Sequence, residues 1–454
     1  MTKKSIIAKS SYYAGIAAAV MLLSSAPVFA QDGGEAQPEN LLPDVVQDGD
    51  TKPTAENTPQ PAPEAVPSWK VEYAANLLAA INAIGSEGLK PADYQPQKLV
   101  SAITGGEGAA LDAEAERALT WLIEDMRDGR TPMKSRVQWF VVDPDSDVMP
   151  TEMLLKKAME TGDVAGILKS LEPTHTDYAA LRAELTKTPE NSPVRRKKIA
   201  ANMDRWRWLK RDLGKDYLRT NVPEYMLRFV VNNQQISTYR TIVGKPGRTA
   251  TPQLAENVRG IIFNPTWTVP QSIVKGEGLG TRVLGNPAWA RTKGYKATKS
   301  ASGRITVVQQ PGPRNSLGYM KLDMPNPHAI FLHDTPSRRL FKNANRALSH
   351  GCIRTERAAE LAMTIALVQG DVPVQRSVAI MKSLKYTRVP VKRKLPVYIT
   401  YFTMATDVNG KMANFRDIYG RDKPVLKALA GQRPVRAGKM KSDEKVVAIE
   451  APGA

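Results

Sequence analysis

The hydrophobic period of this chain changes once, near Gly214, and that change restricts it to folds in which helices and sheet are segregated. From Trp69 to about Asp212, apolar residues recur at three- and four-residue steps, as in Ala74 to Ile81 and Ala113 to Met126. That spacing puts them on one face of an α-helix. Met153 to Leu171 and Lys197 to Leu213 continue the pattern, the latter with Ile199, Met203, Trp206 and Leu209 on one face. Beyond Gly214 the runs shorten. Tyr225 to Val231, a polar Asn232-Asn233 pair and Tyr239 to Val243 read as a β-hairpin. Strands are expected at Val258 to Phe263, Ile305 to Gln309, Ala329 to His333 and Leu395 to Phe402. Helices are expected from Thr355 to Val368, with Leu361, Ala362, Ile365 and Ala366 inward, and near Lys423 to Leu429. The fold class is α+β.

The long stretch between Ser272 and Asn326, rich in Gly, Lys and Arg, reads as irregular apart from one strand. A loop of that length in a compact domain is usually functional, and a lid over a cleft suits it.

The amino terminus carries Lys3, Lys4 and Lys9, an apolar run from Ala14 to Leu23 and the small-residue pattern Val28-Phe29-Ala30, the layout of an export signal. The apolar run is short for a membrane span, although a retained anchor is the alternative. Residues 31–68 are rich in Pro and acids and too poor in large apolar groups to offset chain entropy, so they read as a disordered linker. The whole chain carries +19, the first thirty residues +3 and the linker −7, so the body from Trp69 onward carries +23. A body that basic attracts polyanions. Export argues against nucleic acid and leaves an anionic envelope surface (peptidoglycan stems, acidic lipids or lipopolysaccharide) as the partner, the alternative being that the charge only aids solubility. The domain plan is therefore 1–30 signal, 31–68 linker, 69–215 helical domain, 216–390 mainly-β domain with a covering segment at about 272–326, and 391–454 a strand/helix extension with a polar tail.

The chain holds one cysteine. An exported protein with a single thiol cannot use it as a staple, so Cys352 is either a small buried residue or a reactive group. Its neighbours favour the second reading. Ser349-His350-Gly351-Cys352-Ile353-Arg354 follows His333-Asp334-Thr335-Pro336 with fifteen residues between His333 and Ser349. A thiol attacks as its thiolate, and the helix expected from Thr355 would favour an anion at Cys352. His333, at the end of a strand, faces a neighbouring strand more directly than His350 does and is the preferred base. The N–H groups of His350, Gly351 and Cys352 are candidates for an oxyanion hole, with Gly351 permitting the unusual dihedrals. A zinc site built from His333, His350 and Cys352 is the rival. It lacks standard spacing and a fourth ligand, so no metal and no cofactor is expected. Papain-like thiol peptidases place Cys before His, the opposite order.

A His, about fifteen residues, then Ser/Thr-His-Gly-Cys is the pattern of the YkuD-type L,D-transpeptidases, and this chain resembles them at His333 and Ser349-His350-Gly351-Cys352. The runs Pro325 to Ser337, Arg205-Trp206-Arg207-Trp208-Leu209, Asn264 to Pro270 and Asp417 to Arg421 resemble the large, scaffold-bearing periplasmic branch. The resemblance implies a mainly-β catalytic domain with a capping segment and a helical scaffold. It implies peptidoglycan tetrapeptide stems as substrate, Cys352 as nucleophile, His333 as proton acceptor and donor, and the Asp334 carbonyl orienting the His333 ring. Ser349, His350, Gly351 and Arg354 would contact oxyanion or substrate. The acyl acceptor would be a second stem, water (an L,D-carboxypeptidase) or an envelope protein, and a non-catalytic wall-binding protein is the bland alternative. Two departures stand out. Arg354 occupies a position where many members carry Asn, and only the short run Lys187 to Lys198 occupies the place of an inserted peptidoglycan-binding module.

Overall fold

The computed structural model of the chain describes residues 68–141, 148–436 and 444. The export segment and nearly all of the linker lie outside the described residues. Five helices, α1 (Val71–Ala83), α2 (Pro96–Thr104), α3 (Ala109–Asp128), α4 (Thr151–Thr161) and α5 (Val164–Leu171), open the described chain. They bury Leu77, Ile81, Leu119, Leu122, Ile123 and Ile167 in one core. Pro96 sits in the first turn of α2, where its missing N–H costs nothing. The Asp163 carboxylate caps α5 by accepting the Gly166 N–H at 2.8 Å.

Helices α6 (Thr176–Lys187) and α7 (Pro193–Trp206) pack against each other across a five-residue connection that lies within the Lys187 to Lys198 run. α7 begins at Pro193, not Lys197, and stops at Trp206, seven residues before the expected end. The Trp-Arg-Trp run ends the helix because its side chains are drawn into partners on other elements. Arg205 binds Asp422 at 2.7 Å. Arg207, fully buried, donates to the Glu87 carbonyl and to the Tyr178 hydroxyl, each at 2.6 Å. Trp206 stacks on Phe402, which belongs to the β half of the chain. Asp204 accepts the backbone N–H groups of Arg130 (2.6 Å) and Thr131 (3.1 Å) and the Trp208 indole N–H (2.9 Å). Helical scaffold and sheet are therefore joined by a buried polar seam, bordered by a core of Trp139, Trp206, Trp208, Tyr398 and Phe402.

The sheet runs β10-β3-β11-β9-β8-β4-β12-β1-β2, and an added β2–β3 pairing closes it into a barrel. Its strands are β1 (Tyr217–Asn221), β2 (Met226–Val231), β3 (Gln234–Gly244), β4 (Leu254–Phe263), β8 (Met320–Asp323), β9 (Leu332–His333), β10 (Ala347–Ser349), β11 (Ile353–Thr355) and β12 (Thr387–Thr400). The expected hairpin is β2–β3. Asn232 and Asn233 both adopt positive φ (50° and 63°), as the two-residue turn matching strand twist requires. Closure removes free edges, so the interior is filled by Leu227, Phe229, Ile261, Leu332 and Ile353 against helix α11 (Ala358–Gly370), whose Leu361, Ala362, Ile365 and Ala366 point inward as the period predicts. Short helices α12 (Val374–Lys382) and α13 (Asp422–Ala430) and a small hairpin, β13 (Met404–Thr406) with β14 (Met412–Asn414), complete the carboxyl-terminal part.

Four expectations are corrected. β12 begins at Thr387, eight residues before the expected strand, because the basic run around Arg388 to Lys394 hides a pairing with β4 that is interrupted between Pro390 and Leu395. The division placed at 390 falls inside this strand. β9 shrinks to Leu332–His333, since Ala329 takes a positive φ of 52° and the Asn326 side chain ties the turn to the Ile330 carbonyl (2.7 Å) and N–H (3.1 Å). α11 starts at Ala358, three residues after the expected Thr355, which instead ends β11. The stretch from 272 to 326 is not irregular. It holds α8 (Gln271–Gly276), α9 (Leu279–Gly285) and α10 (Pro287–Lys293) over a three-stranded sheet of β5 (Trp267–Thr268), β7 (Ile305–Gln309) and β6 (Tyr295–Lys299). Val269, Val274, Val283, Ala290 and Val307 form its own small core. Helices of six or seven residues are too short to display a 3.6-residue repeat, which is why the sequence read as loop. The end of the same stretch, β8, belongs to the barrel.

The seam predicts a specific stability ranking. Asp204→Ala leaves the Arg130 and Thr131 backbone N–H groups and the Trp208 indole N–H without their buried acceptor and is expected to cost about 3 kcal/mol. Asp163→Ala removes only an exposed cap and is expected to cost about 1 kcal/mol. Urea midpoints of the two variants test the order; equal midpoints would show that the Asp204 carboxylate is not a buried anchor of the helical domain.

Candidate active site

Strand register assembles the site. His333 on β9 pairs with Lys321 on β8 and with Arg354 on β11. Residues in register share a face of the sheet, and so do residues two apart along an extended strand. Lys321, His333, Arg354, Phe331 and Cys352 therefore lie on one face, while Leu322, Leu332 and Ile353 point into the barrel, none of them exposed. Cys352 immediately precedes β11. The Ile353 N–H donates to the Phe331 carbonyl at 3.0 Å, and the Cys352 thiol is directed to the Ala329 carbonyl at 3.6 Å. The thiol sits one strand spacing, about 4.8 Å, from the strand that carries His333.

The His333 ring is buried, and its Nδ1 lies 2.6 Å from the Asp334 carbonyl oxygen. A carbonyl only accepts, so Nδ1 carries the hydrogen and Nε2 keeps its lone pair. Asp334 holds its own place through its side chain, which accepts the Tyr319 N–H at 2.9 Å and pairs with Arg338 at 3.2 Å. Gly318, at φ 62°, leaves that carboxylate room: a Cβ there would lie 2.3 Å from Asp334 Oδ2.

The turn at 349–352 is clamped from inside and outside. The Ser349 hydroxyl donates to the Cys352 carbonyl at 2.6 Å and accepts the Gly351 N–H at 3.1 Å. Gly351 has φ 121°, outside the range of other residues. The buried Thr251 hydroxyl donates to the Gly351 carbonyl at 2.7 Å and accepts the Gly244 N–H at 2.9 Å. The Tyr419 hydroxyl donates to the Gly244 carbonyl at 2.6 Å, and the Arg421 guanidinium lies over the Tyr401 and Tyr419 rings. Thus the Asp417 to Arg421 run buttresses the turn from more than sixty residues away. The Gly351 N–H, expected as an oxyanion donor, is already committed to Ser349. His350 is half-exposed and faces outward to Glu277 of the cap, 3.9 Å away. It does not share the His333 face. Among the described residues no three His, Cys, Asp or Glu side chains converge as metal ligands.

Two cations, Lys321 and Arg354, shape the electrostatics. Burial pushes the Cys352 thiol up to about 11, opposed by the Phe331 hydrogen bond and by the charges of Lys321 and Arg354. Burial, then the Arg354 charge, brings His333 down to about 3; the Asp334 carbonyl pulls the other way and Lys321 adds to the lowering. Burial also lowers Lys321 and Arg354 themselves, while the neighbouring thiolate would raise both. The helix expected to stabilise the thiolate contributes nothing at that position, because three strand residues and a turn separate Cys352 from α11. The resting pair at neutral pH is a neutral thiol and a neutral imidazole. Sequence reasoning found Arg354 but missed Lys321 and Thr251, which carry no motif and lie 31 and 101 positions from Cys352.

With the geometry in place, the comparisons with known proteins are direct. Residues 215–391 match the L,D-transpeptidase catalytic domain of the YkuD family, and residues 66–185 match a scaffold domain. The chain thus carries a YkuD-type L,D-transpeptidase catalytic domain preceded by a scaffold domain. A Haemophilus influenzae protein that bears the provisional name L,D-transpeptidase is 30% identical over 220 residues, 45% of this chain and 44% of its own length. The chain thus matches less than half the length of that relative. Among solved structures, a mutant Enterococcus faecium L,D-transpeptidase is 12% identical, covering 41% of this chain and 50% of that one with a TM-score of 0.19. Mycobacterium tuberculosis L,D-transpeptidase 1 is 12% identical, covering 41% and 61%, also at 0.19. Overlays at these scores carry no argument for individual residues.

The raised thiol gives a direct expectation. The thiolate is the reactive form, so alkylation of the free protein by iodoacetamide should be slow at pH 7 and accelerate about tenfold per pH unit until it levels near pH 11. A plateau reached below pH 9, followed by intact mass, would contradict burial as the dominant influence on Cys352.

Proposed function

We propose that this chain is a cysteine-dependent L,D-transpeptidase of the cell wall, acting on peptidoglycan tetrapeptide stems in the periplasm. The observation that carries the reading is the shared sheet face of Cys352 and His333, with the His333 tautomer set by the Asp334 carbonyl. The signal-like amino terminus and the basic body fit an anionic envelope outside the cytoplasm.

In the first half-reaction, His333 Nε2 takes the thiol proton as sulfur attacks the carbonyl carbon of the amide between the third stem residue and the terminal D-alanine. Negative charge gathers on the carbonyl oxygen, where the N–H groups of His350 and Cys352 are the donors left by the clamped turn. The C–N bond then breaks, the imidazolium returns its proton to the departing amine, and D-alanine leaves a thioester on Cys352. In the second half, an acceptor amine attacks the thioester and loses a proton to His333. The C–S bond breaks and the sulfur recovers that proton. One amide is broken and one is formed. A neutral starting pair suits this sequence, since the proton moves only as the new bond forms.

A side-chain amine of a second stem as acceptor gives a 3→3 cross-link. Water gives a carboxypeptidase, and an amine of an envelope protein tethers that protein to the wall. The approach of Glu277 of the cap to His350 at the turn before Cys352 supports a role for the cap in acceptor access.

Purified full-length protein incubated with disaccharide-tetrapeptide should release D-alanine and form a 3→3 dimer by mass spectrometry. Cys352→Ala should abolish both products and His333→Ala should slow both by at least about a hundredfold. Neither product from the unaltered protein, or full activity in Cys352→Ala, would overturn the reading.

A further inference from the structure

We infer that Lys321 and Arg354 together form a receptor for the free α-carboxylate of the residue that leaves from the donor peptide. The inference rests on the acyl-transfer reading and assigns Lys321 a part in it. Placement, an absent partner and an electrostatic consequence meet here.

The first is placement. Lys321 and Arg354 are the two register partners of His333, one on each side, on the face that carries Cys352. Their charges both reach the sulfur and the imidazole. In a peptide donor, the carboxylate carbon of the terminal residue lies three bonds beyond the scissile carbonyl carbon, within about 4 Å of it by standard bond lengths. A carbonyl positioned for attack by Cys352 therefore brings a terminal carboxylate within about one strand spacing of the sulfur, where the two long cationic side chains reach.

The second is the lack of a partner. Arginines elsewhere have at least one partner: Arg219 pairs with Asp177 at 3.0 Å, Arg228 with Glu224 at 2.6 Å, and the half-buried Arg346 donates to the Thr241 and Tyr225 carbonyls. Lys321 and Arg354 have no carboxylate or hydrogen-bond partner among the described residues. The Lys321 ammonium lies over the Phe331 ring at 4.0 Å, and the acid nearest along its strand, Asp323, is taken by Arg388 at 2.7 Å. Arg354 Nε is buried with no acceptor. Both side chains are half-buried; keeping charge from water without a counter-ion is costly, and two such cations flanking His333 suit an anion that arrives with the ligand.

The third is consequence. Lys321 and Arg354 both oppose a positive His333. A carboxylate between them cancels that opposition as the imidazolium has to form. The receptor thus ties proton transfer to the presence of a free terminal carboxylate, so its loss is expected in kcat as well as KM.

The test compares two tetrapeptide donors that differ only at the terminus, a free carboxylate against a carboxamide, using the full-length protein. The unaltered protein should prefer the carboxylate by about ten- to a hundredfold in kcat/KM, the range for one charge-assisted contact. Lys321→Met and Arg354→Met should each bring that ratio down toward one by slowing only the carboxylate donor, and Lys321→Arg should keep it. Lys321→Gln replaces the Met variant if the latter melts early. Equal use of both donors by the unaltered protein, or an intact preference in Lys321→Met, would overturn the receptor while leaving acyl transfer standing. Turnover of neither donor would overturn the acyl-transfer reading. In that event, calorimetric binding of the same peptides to Cys352→Ala protein still decides the receptor: equal affinities for carboxylate and carboxamide count against it.

Discussion

The pairing of β9 with β8 and β11 is the contact on which the site depends. β9 is two residues long, yet its flanking strands put Lys321, His333 and Arg354 in one row and align Cys352 with it. A slip of one residue would send His333 into the barrel and Leu332 to the surface. What prevents the slip is the apolar side of the same strands. Leu322, Leu332 and Ile353 are wholly buried against α11, so the hydrophobic term that holds the barrel together also sets the register of the chemistry.

That dependence explains an apparent conflict in the electrostatics. A nucleophilic thiol is commonly favoured by a position at a helix start or beside a protonated His. Here burial dominates, and both members of the pair rest uncharged at neutral pH. Lys321 and Arg354 add to the same balance, since both charges oppose a protonated His333 and favour a thiolate at Cys352.

The turn at 349–352 is rigid for reasons that lie far away in sequence. Thr251 and Ser349 between them use the Gly351 carbonyl and N–H and the Cys352 carbonyl, and Tyr419 secures the strand end that Thr251 leans on. Arg421 donates to the Thr251 carbonyl and to the Gln138 side chain of the scaffold, so the catalytic turn and the helical half share one polar seam. The scaffold is part of the support of the site rather than an appendage.

The sequence by itself determined a good deal. Periodicity established the α+β class, the β2–β3 hairpin with its Asn-Asn turn and the inward stripe of α11, because these are local patterns of two and 3.6 residues. The crowding of His333, Ser349, His350 and Gly351 around the lone Cys352 was legible for the same reason: the motif is nearly contiguous. Tertiary structure alone decided the rest. The short cap helices carry too few turns to show a repeat. The residues before Leu395 hide in a basic run whose pairing depends on β4. Whether Gly351 still offers its N–H depends on Ser349 Oγ, a matter of side-chain geometry that no spacing encodes. Lys321 and Thr251 enter the site only because strands distant in sequence close into a barrel, and register across a closed sheet is set by which faces exclude water, not by the order of residues along the chain.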